Sequence, residues 1–367
     1  MKTCLALSCV LACACETVRI YYENPEGEKI DADVRGVTPD LAPMMTAPDA
    51  GHPDPSPLSL AAPSLCLVNR VGSQSDVRIF DRTMGGDLTP TAIFSPAAIG
   101  LNNPSGIAFD ATRKLLLVGD AKQDKVVLLD VQGTMKGWFG AHGSLDSVAL
   151  LALDGSHQEL FVLGLSGGAP KIDVYAWPAT MASAPTRSVS VMKPAWQTNF
   201  LSMTLLQGHD ELVLADSAKL SVISRTATGA ATELRTIRNP QPPNLLSLWA
   251  LDYDPGRDQI IGGGPGPGPN CTAEDPCGGS WARGVVALAR TAGIPPHYDW
   301  IFDWKLTTTA LAFEATSDVV YFGACTDQSC TRSEIVALSR GGGATPQRTI
   351  VGVSTGLGTM TSMVLCQ

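Results

Sequence analysis

The sequence predicts an all-β fold, a six-bladed β-propeller that is closed by its C-terminal strand and preceded by a signal peptide and a disordered tether. Three observations support this prediction. A pattern of short apolar strands recurs along the chain, the repeats are of similar length, and the repeat region begins and ends with incomplete repeats. Repeats of about 40 to 50 residues built from short strands are typical of propeller blades.

The strand pattern is clearest in residues 104–133, PSGIAFDATRKLLLVGDAKQDKVVLLDVQG. Three apolar runs, at 107–109, 115–118 and 126–129, are separated by short polar segments. Runs of β-favouring residues broken by Asp, Gly, Lys and Thr are typical of antiparallel strands joined by tight turns. One such meander cannot bury both of its faces, so the segment predicts that the pattern is repeated.

The same hairpin recurs four more times, each time as an apolar strand, a polar turn of about four residues and a second apolar strand. These hairpins occupy residues 149–164, 202–216, 250–264 and 310–324, and third strands follow at 171–177, 219–225, 284–290 and 334–340. Equivalent turn positions are separated by 44 residues between Asp110 and Asp154 and by 60 residues between Asp254 and Glu314. These spacings predict five consecutive blades.

The sixth blade is predicted from the two ends of the repeat region. LCLVNR and DVRIFDR, which begin at Leu65 and Asp76, resemble the second and third strands of a blade that lacks its first strand. TSMVLC, which ends at Cys366, resembles a first strand with no successor. Joining the two ends closes the ring and places Cys366 beside Cys66 on neighbouring antiparallel strands, where a disulfide would lock the closure.

The N-terminus predicts export. Residues 1–15 contain one Lys, an apolar run and then small residues and cysteines, which is the layout of a signal peptide. Two four-residue segments, ending at Cys13 and at Cys15, resemble the bacterial lipobox and imply lipidation of one of these cysteines; the alternative is an ordinary cleaved signal. Residues 16–62 are rich in Pro and acidic residues and predict a disordered tether before a propeller domain at 63–367.

The cysteine count agrees with an oxidising compartment. Six cysteines follow the signal segment, and an even number in an exported protein predicts three disulfides. The predicted pairs are Cys66–Cys366, Cys271–Cys277 and Cys325–Cys330. Metal binding by these cysteines is disfavoured, because none has CxxC spacing or a nearby His.

The net charge of −9 and the pI near 5.0 disfavour nucleic acid and anionic membrane surfaces as partners. No run besides the signal approaches the roughly 20 apolar residues of a membrane span, so contact with a membrane is expected only through a lipid anchor. The propeller domain is expected to be exported, held at the cell envelope or secreted, and monomeric.

The blade pattern, PSGIAFD followed by LLLVGD and KVVLLD, resembles NHL-type and gluconolactonase-like six-bladed propellers over about 300 residues. The resemblance implies a Ca²⁺ site where polar side chains at the starts of the inner strands converge on the central channel. The equivalent ring reads Asn103, Ser147, Asn199, Ser247, Thr307 and Thr359. Of the nearby oxygen donors, Asn103, Asp146 and Asn199 form the best candidate metal set; the alternative is that they cap turns.

Other features do not predict catalysis. The sequence contains no HExxH motif, and its two GxSxG matches, at 164–168 and 352–356, are not followed by the helical pattern of a nucleophile elbow. Asp residues at strand ends recur where turns need them. The segment GGGPGPGPN at 262–270 lacks the Lys and helix of a phosphate-binding loop. Together with Trp281, Trp300 and neighbouring aromatic residues, it is a candidate recognition edge; the alternative is that Trp300 and Trp304 pack between blades.

The sequence therefore predicts a non-catalytic, exported binding or scaffold propeller with a protein or glycan partner, no catalytic residues and no cofactor. The alternative hypothesis is a Ca²⁺-dependent, lactonase-like hydrolase with its site at the central channel, where the metal would polarise a carbonyl group.

Overall fold

The computed structural model describes residues 20–23, 29–32 and, with gaps, 63–366. The gaps are residues 141–143, 192–201, 217–218, 238–247, 265–283, 293–297, 304–306, 326–331 and 341–345. Two compact units are present, residues 1–56 and 57–367. In the first unit, strands β1 (Ile20–Glu23) and β2 (Lys29–Ala32) form an antiparallel hairpin. The sequence did not predict this hairpin within the segment assigned to the tether.

The second unit consists of six antiparallel sheets, or blades, numbered here in chain order. Blade 1 contains β3 (Ser64–Val71), β4 (Gln74–Asp81) and β5 (Ala92–Phe94). Blade 2 contains β6 (Pro104–Asp110), β7 (Leu115–Asp120), β8 (Lys125–Asp130) and β9 (Met135–Gly140). Blade 3 contains β10 (Ser147–Asp154), β11 (Glu159–Ser166), β12 (Ala169–Ala176) and β13 (Arg187–Ser190).

Blades 4 to 6 follow the same plan. Blade 4 contains β14 (Ser202–Leu206), β15 (Glu211–Ala215), β16 (Leu220–Ser224) and β18 (Glu233–Ile237). Blade 5 contains β19 (Ala250–Asp254), β20 (Gln259–Gly264), β21 (Gly284–Ala289) and β22 (Tyr298–Asp303). Blade 6 contains β23 (Thr308–Glu314), β24 (Val319–Cys325), β25 (Ser333–Ser339) and β26 (Arg348–Ile350). The short strand β17 (Gly229–Ala230) leaves blade 4 and pairs in parallel with β13 of blade 3.

The last strand, β27 (Thr359–Cys366), returns to blade 1 and pairs antiparallel with β3. The predicted closure of the ring by the C-terminal strand is thus confirmed, and Cys66 and Cys366 form a disulfide with a Cα–Cα distance of 5.9 Å. The pairing register differs from direct opposition, because Val364 lies opposite Cys66 and Cys366 lies opposite Ser64. The disulfide therefore links a diagonal pair of residues.

Buried side chains fill the spaces between neighbouring blades. The described residues form six apolar clusters, and each cluster draws its members mainly from two consecutive blades, including one that joins blade 6 to blade 1. Strands in the middle of a blade are buried on both faces, as in β7 and β8, which explains their nearly continuous runs of Leu and Val. The propeller core is therefore a ring of six interblade layers.

The turns between first and second strands explain the recurrent aspartates. Asp110, Asp154 and Asp254 each accept backbone N–H groups from residues two and three positions later in the turn. This confirms the interpretation that these carboxylates form turns. Among the residues that the structure describes, a 3₁₀ helix at Val353–Thr355 is the only helix, and none could cross a membrane.

Candidate functional site

The first strands of the six blades surround a central cavity. Strands β27, β6, β10, β14, β19 and β23 contact one another in this cyclic order around the ring axis. The cavity between them has a volume of about 360 Å³ and is lined by residues of all six strands. This volume falls within the range of about 300 to 1,000 Å³ that is typical of small-ligand sites. The exposed lining contains more polar than apolar surface, and the channel is the candidate site.

One ring of residues determines the chemistry of this cavity. Each blade contributes the residue two positions before the end of its first strand, and all six line the cavity. The ring consists of Val364, Ala108, Ala152, Thr204, Asp252 and Ala312. Asp252 is the one acidic or basic side chain among the described lining residues. A single carboxylate thus faces small, mainly apolar neighbours.

The carboxylate of Asp252 is held in place by backbone groups. Its Oδ2 accepts the N–H of Phe313 at 2.8 Å, which connects β19 to β23, and its Oδ1 accepts the N–H of Tyr253 at 2.8 Å. Burial raises the pKa of Asp252 to about 6, although both hydrogen bonds act in the opposite direction. Desolvation dominates because no opposite charge from the described part of the chain compensates the carboxylate.

A second polar group points to a ligand in the channel. Thr309 on β23 lines the cavity, is only 8 % exposed, and its hydroxyl has no hydrogen-bond partner among the residues that the structure describes. Buried hydroxyl groups are normally hydrogen-bonded, and an unsatisfied one costs about 1–3 kcal/mol. Thr309 sits at the bulge between Thr308 and Ala310, where the pairing with β24 shifts register.

In the structure, the two described members of the predicted metal set each hydrogen-bond to another protein group. Asn103 accepts a hydrogen bond from Ser75 at 3.0 Å, and Asp146 accepts the backbone N–H of Gly167 at 2.7 Å. Asn199 lies outside the described residues, so the predicted metal set remains a prediction. Among the described residues of the predicted polar ring, Asn103, Ser147, Thr307 and Thr359, none lines the cavity.

Several other predicted features also fall outside the described residues: the Cys271–Cys277 pair, Cys330, Trp281, Trp304 and most of the Gly- and Pro-rich segment. Cys325 is disulfide-bonded. Trp300 lies in strand β22. The recognition edge built from these residues therefore remains a prediction.

The structure adds a second set of polar residues that the sequence analysis missed. An Arg or Trp directly after the third strand of one blade contacts a carboxylate at the first turn of the preceding blade, across five of the six interblade seams. These contacts are Trp177–Asp110, Arg225–Glu159, Arg290–Glu211, Arg340–Asp254 and Arg82–Glu314. We call them the seam contacts.

The arginines around two of the seam carboxylates lower the pKa of these groups, and partners in the same blade, Arg187 and Arg235, contribute more than the seam partners Arg225 and Arg290. Hydrogen bonds from Arg187, together with the charges of Arg187 and Arg225, lower the pKa of Glu159 against the effect of burial. Hydrogen bonds from Arg235 and Arg290 do the same for Glu211. These carboxylates are ionised, paired and partly buried, which suits a structural role better than acid–base catalysis.

The seam between blades 1 and 2 has neither member of this pair. Cys366 ends the first strand of blade 1, where other blades carry Asp110 or Glu314, and Val131 follows the third strand of blade 2 in place of Arg. The recurrence of Arg82, Arg225, Arg290 and Arg340 one residue after the third strand was the sequence signal for the seam contacts.

Comparison with known proteins identifies the fold. A chain from the crystal structure of a nidogen/laminin complex matches with a TM-score of 0.54 and 12% identity over 83% of this chain and 98% of that chain. The β-propeller domain of Cps50 (Swd1) from Myceliophteria thermophila has a TM-score of 0.47 and 15% identity, with coverage of 78% and 83%. A chain of the mitotic checkpoint complex has a TM-score of 0.48 and 13% identity, with coverage of 79% and 77%.

No protein-family model matches the sequence, and no curated protein matches it. The six sheets and the similarity to the chain from the nidogen/laminin complex make this chain a six-bladed β-propeller, and the similarity carries the fold alone.

Proposed function

We propose that this protein is an exported, non-catalytic binding propeller that presents its loops to a protein or glycan partner. The propeller would be of the NHL-like type, and the protein would be a monomer. A lipid on Cys13 or Cys15 would hold the protein at the cell envelope, with residues 16–62 as a tether between the lipid and the propeller. The layout of the N-terminal residues and the acidic net charge support export and disfavour nucleic acid.

The observation that carries this proposal is the engagement of the strand-end carboxylates. These groups would be the natural acids and bases of a catalytic propeller, yet Asp110, Asp154 and Asp254 hold turns, and Glu159 and Glu211 hold seams. A closed ring whose strand-end carboxylates hold turns and seams is a rigid scaffold for loops, and binding residues are commonly found on loops that such a scaffold positions.

A calcium-dependent hydrolase is less well supported. Hard cations such as Ca²⁺ take six to eight oxygen ligands. Asn103 and Asp146 each already bond to protein groups, and the residues around Asp252 are mainly Ala and Val. The structural neighbour with the highest similarity reported above comes from a complex of two proteins, nidogen and laminin, which is consistent with a protein-binding role for this architecture.

The test is binding of the purified full chain to envelope fragments from the cell that produces it. A variant with both Cys13→Ala and Cys15→Ala removes any lipid, so that membrane insertion does not contribute to the signal. We expect saturable binding that unlabelled protein competes away. Treatment of the fragments with protease or with glycosidase separates a protein partner from a glycan partner. Binding that never saturates, or turnover of lactones or esters by the purified protein, would contradict the proposal.

A further inference from the structure

We propose that the central channel is a binding site for a small cationic amphiphile, an organic amine whose ammonium group pairs with Asp252 and whose apolar body lies among the first strands. This site is separate from the macromolecular partner proposed above and does not depend on it. Three observations carry it: the isolated carboxylate, the hydroxyl of Thr309 that lacks a partner among the described residues, and the size of the cavity with its ring of mainly alkyl side chains.

The first argument concerns charge. Asp252 shares its ring of the channel lining with Ala108, Ala152, Ala312 and Val364, and no cationic side chain is present among the described residues of the lining. An ionised carboxylate in such surroundings is costly unless it is paired. An ammonium ion that enters the channel would provide the missing charge, and a charge-assisted hydrogen bond is stronger than a neutral one.

The second argument concerns hydrogen-bonding capacity. A carboxylate offers about four lone-pair positions, and backbone N–H groups of Phe313 and Tyr253 each use one on a different oxygen of Asp252. Each oxygen therefore retains a position for a further donor, and an ammonium group carries up to three. The side chain is already oriented by the two backbone bonds, so a ligand would bind a preorganised acceptor.

The third argument concerns the length of the site. Thr309 precedes Phe313 by four residues on β23, which corresponds to roughly 13 Å along a strand. The two polar points are thus at different depths of one cavity of about 360 Å³. An elongated molecule with an ammonium group at one end and a hydrogen-bonding group at the other would satisfy both, while its apolar middle contacts Leu and Ala side chains of the lining.

The donor set favours an organic cation over a metal ion. Around Asp252, the ring provides one hydroxyl, from Thr204, and otherwise alkyl side chains. Divalent cations such as Ca²⁺ need several oxygen ligands at close range, which this ring lacks, whereas an alkylammonium ion needs one or two acceptors and an apolar wall. Trp249, 36 % exposed, also lines the cavity and adds aromatic surface for such a body.

The experiment compares two probes of the same shape, 4-phenylbutylamine and its neutral counterpart 4-phenylbutan-1-ol, by titration calorimetry with the full chain. Measurements are made at about pH 7.5, above the pKa of Asp252 of about 6. We expect the amine to bind at least about tenfold more tightly than the alcohol, which corresponds to about 1.4 kcal/mol. This comparison uses the unmodified chain and needs no variant to fold.

Two variants then assign the charge. Asp252→Asn is expected to weaken amine binding to the level of the alcohol while leaving alcohol binding unchanged. Asp87→Asn changes the net charge equally, but Asp87 is exposed, accepts the backbone N–H of Ser354 and does not line the cavity, so this variant should leave both affinities unchanged. Thr309→Val should weaken binding of 6-aminohexan-1-ol, which carries a hydroxyl at the end opposite its amine, more than it weakens binding of 4-phenylbutylamine.

Three results would overturn the proposal: equal affinity of the unmodified chain for amine and alcohol, undiminished amine binding by Asp252→Asn, or no binding of either probe at millimolar concentration. Calcium chloride alone is titrated in parallel. Calcium binding that Asp252→Asn abolishes would replace the amine by a metal ion and likewise overturn it.

Discussion

Removal of the Cys66–Cys366 disulfide is expected to destabilise the propeller strongly. The bond closes a loop of 300 residues, and in the chain-entropy model such a loop lowers the entropy of the unfolded chain by about 19 cal/mol/K, or about 5.7 kcal/mol at 25 °C. Measured effects are commonly smaller than this model value, so we expect a loss of about 3–5 kcal/mol in the free energy of unfolding.

The perturbation is the double variant Cys66→Ala/Cys366→Ala, and the assay is unfolding in guanidinium chloride, with mass spectrometry to verify the disulfides. Both cysteines are buried in the cluster between blades 1 and 2, and loss of the two sulfur atoms adds a small packing cost. Limited proteolysis should also show earlier cleavage before β27, because only strand pairing and packing then hold the last strand in blade 1.

The matched control is Cys325→Ala/Cys330→Ala, which removes a disulfide predicted to close a short loop. The same entropy model gives about 2 kcal/mol for a loop of this size. A loss below about 1 kcal/mol for the Cys66–Cys366 variant, or a loss no larger than that of the control, would refute the view that this bond fastens the closure of the ring.

Two further predictions concern charge. Because the pKa of Asp252 is raised in the folded state, the folded protein binds the extra proton, and its stability falls as pH rises from about 4 to about 6. Asp252→Asn should therefore gain up to about 3 kcal/mol in the free energy of unfolding, relative to the unmodified chain, across that pH range. Urea unfolding at several pH values measures this gain, and a difference between the two proteins that does not vary with pH would contradict the prediction. Arg82 pairs with Glu314 at 2.6 Å with side chains only 5 % and 12 % exposed, so Arg82→Met should cost about 3 kcal/mol. Lys136→Met, which breaks the exposed pair with Asp130 at 2.8 Å, should cost less than about 1 kcal/mol, and equal costs for the two variants would speak against the seam contacts.

The sequence was sufficient for the blade count and the closure because the repeated hairpins left two unpaired ends that only a ring could join. It was not sufficient for the register of the closing strands. The segments around Cys66 and Cys366 are apolar at almost every position, because β3 is buried on both faces. Without an alternating pattern, a shift of two residues leaves the hydrophobic pattern unchanged, and the diagonal pairing was only visible in the structure.

The outer strands and the seam contacts were also beyond the sequence analysis. Outer strands such as β5 and β26 have only three residues each, too few for a strand pattern to emerge. The seam contacts join residues far apart in the chain, as in Arg82 and Glu314. Four of their cationic members share one position, directly after the third strand of blades 1, 4, 5 and 6.

The channel illustrates a third limit. The resemblance to calcium-binding propellers directed attention to polar residues at the starts of the inner strands, such as Asn103 and Ser147. In the structure the cavity is lined further along these strands, and its chemistry depends on Asp252 and Thr309. Asp252 had no special signal in the sequence, because it alternates with the turn-forming Asp254, and its isolation follows only from the Ala and Val residues that neighbouring blades place around it.

The measurement that tests the central claim most directly is the metal content and calcium-dependent melting of the purified full chain. If the ring is a non-catalytic scaffold held together by its seams and its disulfide, the protein should carry no stoichiometric metal and melt at the same temperature with calcium and with chelator. A stoichiometric Ca²⁺ that raises the melting temperature, and that is lost in Asn103→Ala or Asn199→Ala, would contradict this account and restore the hydrolase hypothesis.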